Sequence, residues 1–183
     1  MRTIVVVDYD PRWPRVFERL HSEIWPVVND IALAVEHVGS TSVPGLAAKP
    51  IVDVTVVVRT ETQVPLAIER LGTLGYVHRG NLGIEGREAF TSPERLPTHH
   101  LYLCTCDSLA LANHLAVRDY LRTHSDTAHE YGELKKRLAQ EFPHDIDSYI
   151  DGKTNLILEI LRAADFPAAR LDAIERANRK PVS

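Results

Sequence analysis

Residues 36–58, EHVGSTSVPGLAAKPIVDVTVVV, join a turn of small residues to an apolar β-branched run that carries a single acid, Asp53. Gly39 and Gly45 allow backbone geometries that a Cβ forbids. Ser40, Thr41 and Ser42 set hydroxyls beside backbone N–H groups, so the turn can cradle an anion. Ile51, Val52, Val54, Val56, Val57 and Val58 then form a nearly continuous apolar series, the pattern of a strand covered on both faces. Asp53 interrupts it. A carboxylate is costly to bury alone, so Asp53 needs a cation, a donor cluster or a metal beside it, or a place at the wet end of the strand.

Before this stretch, Asp10 and Pro11 read as an N-cap and first helical position. Val16, Phe17, Leu20, Ile24, Val27 and Val28 recur at helical spacing, which predicts a helix over 11–29 that Pro26 kinks or ends early. A short strand over 34–38 leads into the turn. After the strand over 51–58, Thr62 opens a second helix that buries Leu66, Ile68, Leu71 and Leu74 and stops at Gly75. Residues 76–78 resume the sheet. The span 80–97, rich in Gly, Pro and charge, reads as a hairpin or mobile loop with an extended piece at 88–91. Residues 99–105, HHLYLCT, form a further strand with His100, Tyr102 and Cys104 on one face and His99, Leu101 and Leu103 on the other. Three helices follow, over 108–123, 126–141 and 146–164, capped by Asp107, Ser125 and Asp145. The tail 165–183 adds at most a short helix, and Pro181 with the charged end points to fraying.

The whole is read as one domain over 1–183: a sheet-containing core to about residue 106, a helical portion over about 107–164, and the tail. At 183 residues, 44% hydrophobic and 25% charged, the chain is ordinary for a soluble globular protein. No apolar run approaches the roughly 20 residues of a membrane helix, and no secretory leader is evident, so a cytoplasmic location is expected. A net charge of −4 argues against general nucleic-acid binding. The two cysteines, Cys104 and Cys106, read as small apolar fillers on one face rather than a redox pair.

Several motifs in order, VEHVGSTSVPGLAAKPIVDV, GIEGREAF, THHLYL, HLAVRDYLRTH, EYGELKKRLAQEFP and YIDGKTNLI, give the chain a resemblance to the GrpB family that runs from Tyr9 to near Leu161. That resemblance implies an α+β fold of the nucleotidyltransferase superfamily: a mixed β-sheet flanked by helices, with a helical C-terminal portion. It also links the chain to a domain fused to dephospho-CoA kinase in some bacteria. In that superfamily a Gly-Ser turn precedes a strand bearing Asp-x-Asp or Asp-x-Glu, and a later strand supplies a third carboxylate. Gly39 and Ser40 match the turn and Asp53 the first carboxylate. Thr55 stands where the second belongs, and His99, His100 and Tyr102 stand where the third would. Paired carboxylates at i and i+2 point the same way and can hold Mg²⁺ between them and nucleotide phosphates, so the departure bears directly on chemistry.

Asp53 is therefore read in two ways, as a Mg²⁺ ligand and as a buried acceptor that fixes the turn, with Lys49 as its compensating charge. His100 is a candidate catalytic proton carrier or metal ligand beside Asp53. Gly39, Ser40, Ser42, Lys49, Arg87, Arg118 and Lys135 are candidate ligand- or phosphate-binding residues. Each has a structural alternative, such as turn hydrogen bonds for the serines, a surface salt bridge for Arg87, and snorkelling basic heads for Arg118 and Lys135. Three functions follow. One is a nucleotidyltransferase-like enzyme that binds a nucleotide or other phosphorylated ligand with Mg²⁺. Another is a catalytically degenerate fold that acts as a ligand-binding or accessory module linked to a CoA-pathway protein. The last is a hydrolytic metal site built on Asp53 and His100.

Overall fold

The computed structural model of the chain describes residues 3–179. A five-stranded mixed sheet runs β1 (Ala32–Val38), β2 (Val52–Val58), β5 (His99–Thr105), β4 (Arg87–Thr91) and β3 (Val77–His78) in spatial order. β2 and β5 are parallel, and every other neighbouring pair is antiparallel. Helices α1 (Trp13–Val28) and α2 (Val64–Thr73) cover one face of the sheet. Helices α3 (Leu109–Thr123), α4 (Ser125–Glu141) and α5 (Ile146–Ala163) stand on the other side, and α6 (Ala168–Asn178) packs on α5. This is the α+β architecture that the resemblance implied, a mixed sheet flanked by helices with a helical C-terminal portion.

The covered face closes because β2 and β5 alternate. Val52, Val54, Val56, Val58, Leu101 and Leu103 point into one apolar core with Leu20, Ile24 and Val28 of α1 and Ala67 and Leu71 of α2. His99 also lies on this side, where its Nε2 meets the Tyr76 hydroxyl at 2.7 Å.

Several local expectations shift by a residue or two. α1 begins at Trp13 rather than Pro11, because Asp10 uses its carboxylate on the Arg12 N–H and guanidinium and leaves Arg12 at the cap. Pro26 lies in the last turn, and the helix ends two residues later. α2 begins at Val64 rather than Thr62, after a 3₁₀ turn over Glu61–Gln63 that a box between Thr60 and Gln63 caps. Ser108, not Asp107, caps α3, and its Oγ accepts from Leu111 N–H at 3.2 Å. Ser125 is the first residue of α4, while Asp145 caps α5 as expected, accepting from Ser148 N–H at 3.0 Å. Cys106 falls beyond the end of β5 and is exposed, so it does not share the buried face of Cys104.

The tail is more ordered than its charge suggested. α6 buries Leu171 and Ile174 against Leu158 and Leu161 of α5. Arg179, beyond its C-terminus, reaches Asn155 at 2.6 Å and Glu175 at 2.9 Å. The apolar i, i+3 pair outweighs the polar average. Pro181 lies outside the described residues.

Candidate functional site

Cross-strand partners share a face, so the register settles what faces the C-terminal helices. Asp53 pairs with Val38 and His100, Thr55 pairs with Glu36 and Tyr102, and Arg87 pairs with Cys104. Asp53, His100, Tyr102 and Arg87 floor a cleft of about 930 Å³ walled by α3, α4, α5 and α6 and by the turn at 39–43, and Thr55 is buried beneath it. Gly39, Ser40, Lys49, Asp53, Arg87, His100, Arg118 and Lys135 all line it. Ser42 does not. It is buried behind the turn, and its hydroxyl donates to Gly39 C=O at 2.6 Å, a structural use.

The turn is pressed against the acid. Gly39 has φ +69°, and a Cβ placed on it would lie 2.3 Å from Asp53 Oδ2, so glycine is required both by conformation and by space. The other carboxylate oxygen, Oδ1, is 2.9 Å from His100 Nδ1. Burial acts to raise the Asp53 pKa, but the hydrogen bond from His100 and the positive charge of His100, His114 and Lys49 outweigh it and hold the carboxyl below its usual range. Asp53 is thus a carboxylate that accepts Nδ1–H of His100, which leaves Nε2 as the free nitrogen of the half-exposed ring.

Opposite the dyad, two helices present the same pair. Tyr131 and Lys135 on α4, and Tyr149 and Lys153 on α5, are each spaced i, i+4, so each amine stands over its own tyrosine ring, at 4.5 and 5.0 Å. Lys49, from the segment before β2, is 5.8 Å from the Tyr149 ring. Gly152 makes this convergence fit, since a Cβ there would meet Leu138 Cδ2 of α4 at 2.5 Å. Lys135 is 2% exposed, and its Nζ contacts Ser40 Oγ at 2.7 Å and Ala47 C=O. Burial, then the charges of Lys153 and Lys49, lower its pKa well below the ordinary lysine value. Burial and Lys49 bring Lys153 down to about 8. Among the described residues, none of these three amines has a carboxylate in salt-bridge range.

The floor and the α3 wall hold unspent hydrogen-bonding capacity. Thr55 Oγ1, Arg87 Nε, Asn113 Oδ1 and His114 Nδ1 are buried and without a partner among the described residues. Arg87, Asn113 and His114 line the cleft, and the Arg87 guanidinium stacks 4.5 Å from the Tyr102 ring centre. Arg118 is different. It donates to Glu36 and Asp119, both at 2.7 Å, and to His37 C=O at 3.1 Å, so its charge is already used to tie α3 to β1. Arg122 likewise donates to Ser42 C=O at 2.9 Å and holds the back of the turn.

The donor set does not fit the paired-carboxylate metal site that the resemblance implies. Thr55 is fully buried, Glu36 across from it is engaged by Arg118, and no three His, Cys, Asp or Glu side chains group for a metal ion among the described residues. The same count removes the hydrolytic metal site built on Asp53 and His100. Sequence reasoning gave no site role to His114 or Asn113. The signal was present, because His114 and Arg118 are spaced i, i+4 in HLAVRDY, one turn apart on the face of α3 that meets β1 and β5.

The comparisons with known proteins bear on the family and the fold. The family model described as GrpB protein matches residues 3–163. A crystal structure of conserved protein GrpB from Enterococcus faecalis is 38% identical with a TM-score of 0.78, over 87% of this chain and 96% of that one. The UPF0157 protein YqkA of Bacillus subtilis is 36% identical over 85% of this chain and 46% of its own length. A dephospho-CoA kinase of Mycolicibacterium paratuberculosis is 25% identical over 87% of this chain and 45% of its own length. The chain therefore spans about half the length of these last two relatives. It belongs to the GrpB family.

Proposed function

We propose that this chain binds a phosphorylated small molecule, nucleotide-like in class, in the cleft between the Asp53 face of the sheet and helices α3 to α5, and that it does so as a cytoplasmic protein. The observation that carries the reading is the trio Lys49, Lys135 and Lys153. Three amines share one cleft whose nearest acid, Asp53, is already held by His100. Converging amines without acids hold their protons poorly until an anion joins them, and a phosphate supplies two negative charges with several acceptor oxygens. The Tyr102 ring, which lines the cleft, offers apolar surface for a base or other flat group, and the unpartnered atoms of Arg87, Asn113 and His114 offer polar contacts for recognition.

Calorimetric titration with a nucleoside triphosphate, CoA, dephospho-CoA and pyrophosphate, each with and without Mg²⁺, tests it. Dephospho-CoA is included because a dephospho-CoA kinase is among the relatives, which supports the accessory role in CoA metabolism as one form of this function. At least one compound is expected to bind, with Lys153→Met weakening it tenfold or more while raising the unfolding temperature of the free protein. If no phosphate-bearing compound binds at millimolar concentration, the reading fails.

Nucleotidyl transfer is the second reading, favoured by the Gly39–Ser40 turn standing against Asp53. Binding of a nucleoside triphosphate that requires both Mg²⁺ and Asp53 would raise it above the first. Binding indifferent to Mg²⁺ and to Asp53→Asn would remove it.

A further inference from the structure

We propose that Ser40 and Lys135 form a nucleophile and base pair, which makes the cleft a site for cleaving an ester borne by an anionic molecule. Ser40 Oγ lies 2.7 Å from Lys135 Nζ, within the reach a base needs to take a hydroxyl proton. The serine lines the cleft, while the lysine behind it is 2% exposed.

The setting of Lys135 is that of an amine kept neutral. Its polar contacts are a hydroxyl and a backbone carbonyl, both uncharged, and its charged neighbours are the cations Lys153 and Lys49 and the Asp53 carboxylate, which His100 already engages. A protonated lysine held only for structure is normally paired or solvated. Here the Tyr131 ring and the Ala47 carbonyl fix the side chain, and one N–H of the amine is spent on that carbonyl. The nitrogen lone pair is left for Ser40 O–H.

In the reaction, Ser40 Oγ attacks the ester carbonyl carbon and its proton passes to Lys135 Nζ. The bond to the leaving alkoxide breaks, and the alkoxide takes that proton from the ammonium. Lys135 then removes a proton from water as the water attacks the acyl-serine, the acyl–Oγ bond breaks, and Ser40 Oγ takes that proton back from the Lys135 ammonium as the acid leaves. The sum is ester plus water giving acid plus alcohol. Lys49 and Lys153 stabilise the oxyanion and hold the substrate's anionic group, and that last point alone rests on the anion-binding reading above.

A fluorophosphonate probe tests the pair without knowledge of the substrate, because the Oγ–P bond forms as P–F breaks and fluoride leaves, while the hydroxyl proton goes to Lys135. Mass spectrometry is expected to place the label on Ser40, at a rate that rises with pH and levels off below the ordinary range of lysine. Lys135→Arg keeps N–H donors at this position but cannot act as a base. It is expected to fold, by circular dichroism, and to label about a hundredfold more slowly. Should Lys135→Arg misfold, Lys135→Met supplies the same comparison. No label on the wild-type chain, a label away from Ser40, or equal rates in the base-deficient variant would overturn the proposal. Labelling with no phosphate binding would sink the anion reading alone, and binding with no labelling would sink this one alone.

Discussion

One sheet presents two faces that differ in how far the chain completes them. On the α1 and α2 side, Val54, Val56, Val58 and Leu101 are fully buried in an apolar core, and the buried His37 and His99 have partners in Thr41 and Tyr76. On the other side the same strands set Asp53, Thr55, His100, Tyr102 and Arg87 over a cleft, and four buried polar atoms of that side have no partner among the described residues. A face finished by its own helices serves stability. A face with unspent donors and acids held in place is arranged for something the chain does not contain.

The sharpest way to break this division is to damage the closed face. Leu101→Ala removes a fully buried side chain between β2 and β4 and is expected to cost about 2–5 kcal/mol in urea unfolding. Its effect on phosphate affinity, measured where the variant is still folded, should be less than about twofold, because Leu101 points away from the cleft and the additivity of distant sites applies. An affinity loss as large as that of Lys153→Met would show that the two faces are coupled.

Next in size is the contact that builds the cleft. Gly39→Ala is expected to cost about 3 kcal/mol, from a left-handed φ together with overlap on the Asp53 carboxylate. Gly45→Ala shares the positive φ, at +80°, but has nothing within 4 Å of its Cβ, so about 1 kcal/mol is expected. The gap between the two, read by chemical denaturation, isolates the press of turn on acid. Equal costs would mean that backbone conformation alone matters and that the Asp53 carboxylate gives way.

How much of this could be read from the residues follows the same division. The closed face was legible because period-2 alternation of Val and Leu states it directly, and the turn was legible from Gly39 and Ser40. The opposing lysines were visible as letters, yet their convergence depends on Gly152 letting α5 close on α4, which no local pattern encodes. Arg118 shows the reverse: a basic residue at helical spacing looked free for phosphate, but register places Glu36 across from Thr55 and within its reach. His114 passed unnoticed because a histidine inside an amphipathic helix reads as packing until the strand below it is known. The tail was underestimated since its buried pair, Leu171 and Ile174, is sparse in a polar stretch.

A change of pH should separate the faces without mutation. Lys153 has a folded pKa of about 8, below its unfolded value of 10.5. Between those limits the unfolded chain holds a proton that the folded chain does not, so the free protein gains stability as pH rises from 8 to 10.5. Anion binding runs the opposite way, weakening by up to about tenfold per pH unit above 8 as the charge is lost. His37, buried under Phe17 on the closed side and lowered to about 4, first by burial, acts in another window. The unfolded chain takes its proton at 6.5 and the folded chain does not, so stability falls as pH drops from 6.5 to 4 while Lys153 stays charged. Thermal melts and titrations across both ranges check this. A binding constant flat from pH 7 to 10 would remove Lys153 from the anion's contacts.

The smallest effect expected concerns Thr55, and its sign is the informative part. Its Oγ1 is buried with no partner, in the position where the resemblance leads one to expect a second carboxylate. Valine has the same shape without the hydroxyl, so Thr55→Val removes an unmet polar group and should stabilise the free protein by about 1 kcal/mol. If that hydroxyl serves the ligand, affinity falls as stability rises, the pattern of a group maintained for binding at the expense of folding. If stability falls instead, the hydroxyl has a bonding role in the free chain, and the cleft face is more complete than its geometry indicates. Stability up with affinity unchanged would place Thr55 with the closed face in function, though it lies across the sheet from it, and would confine the unfinished surface to Arg87, Asn113 and His114.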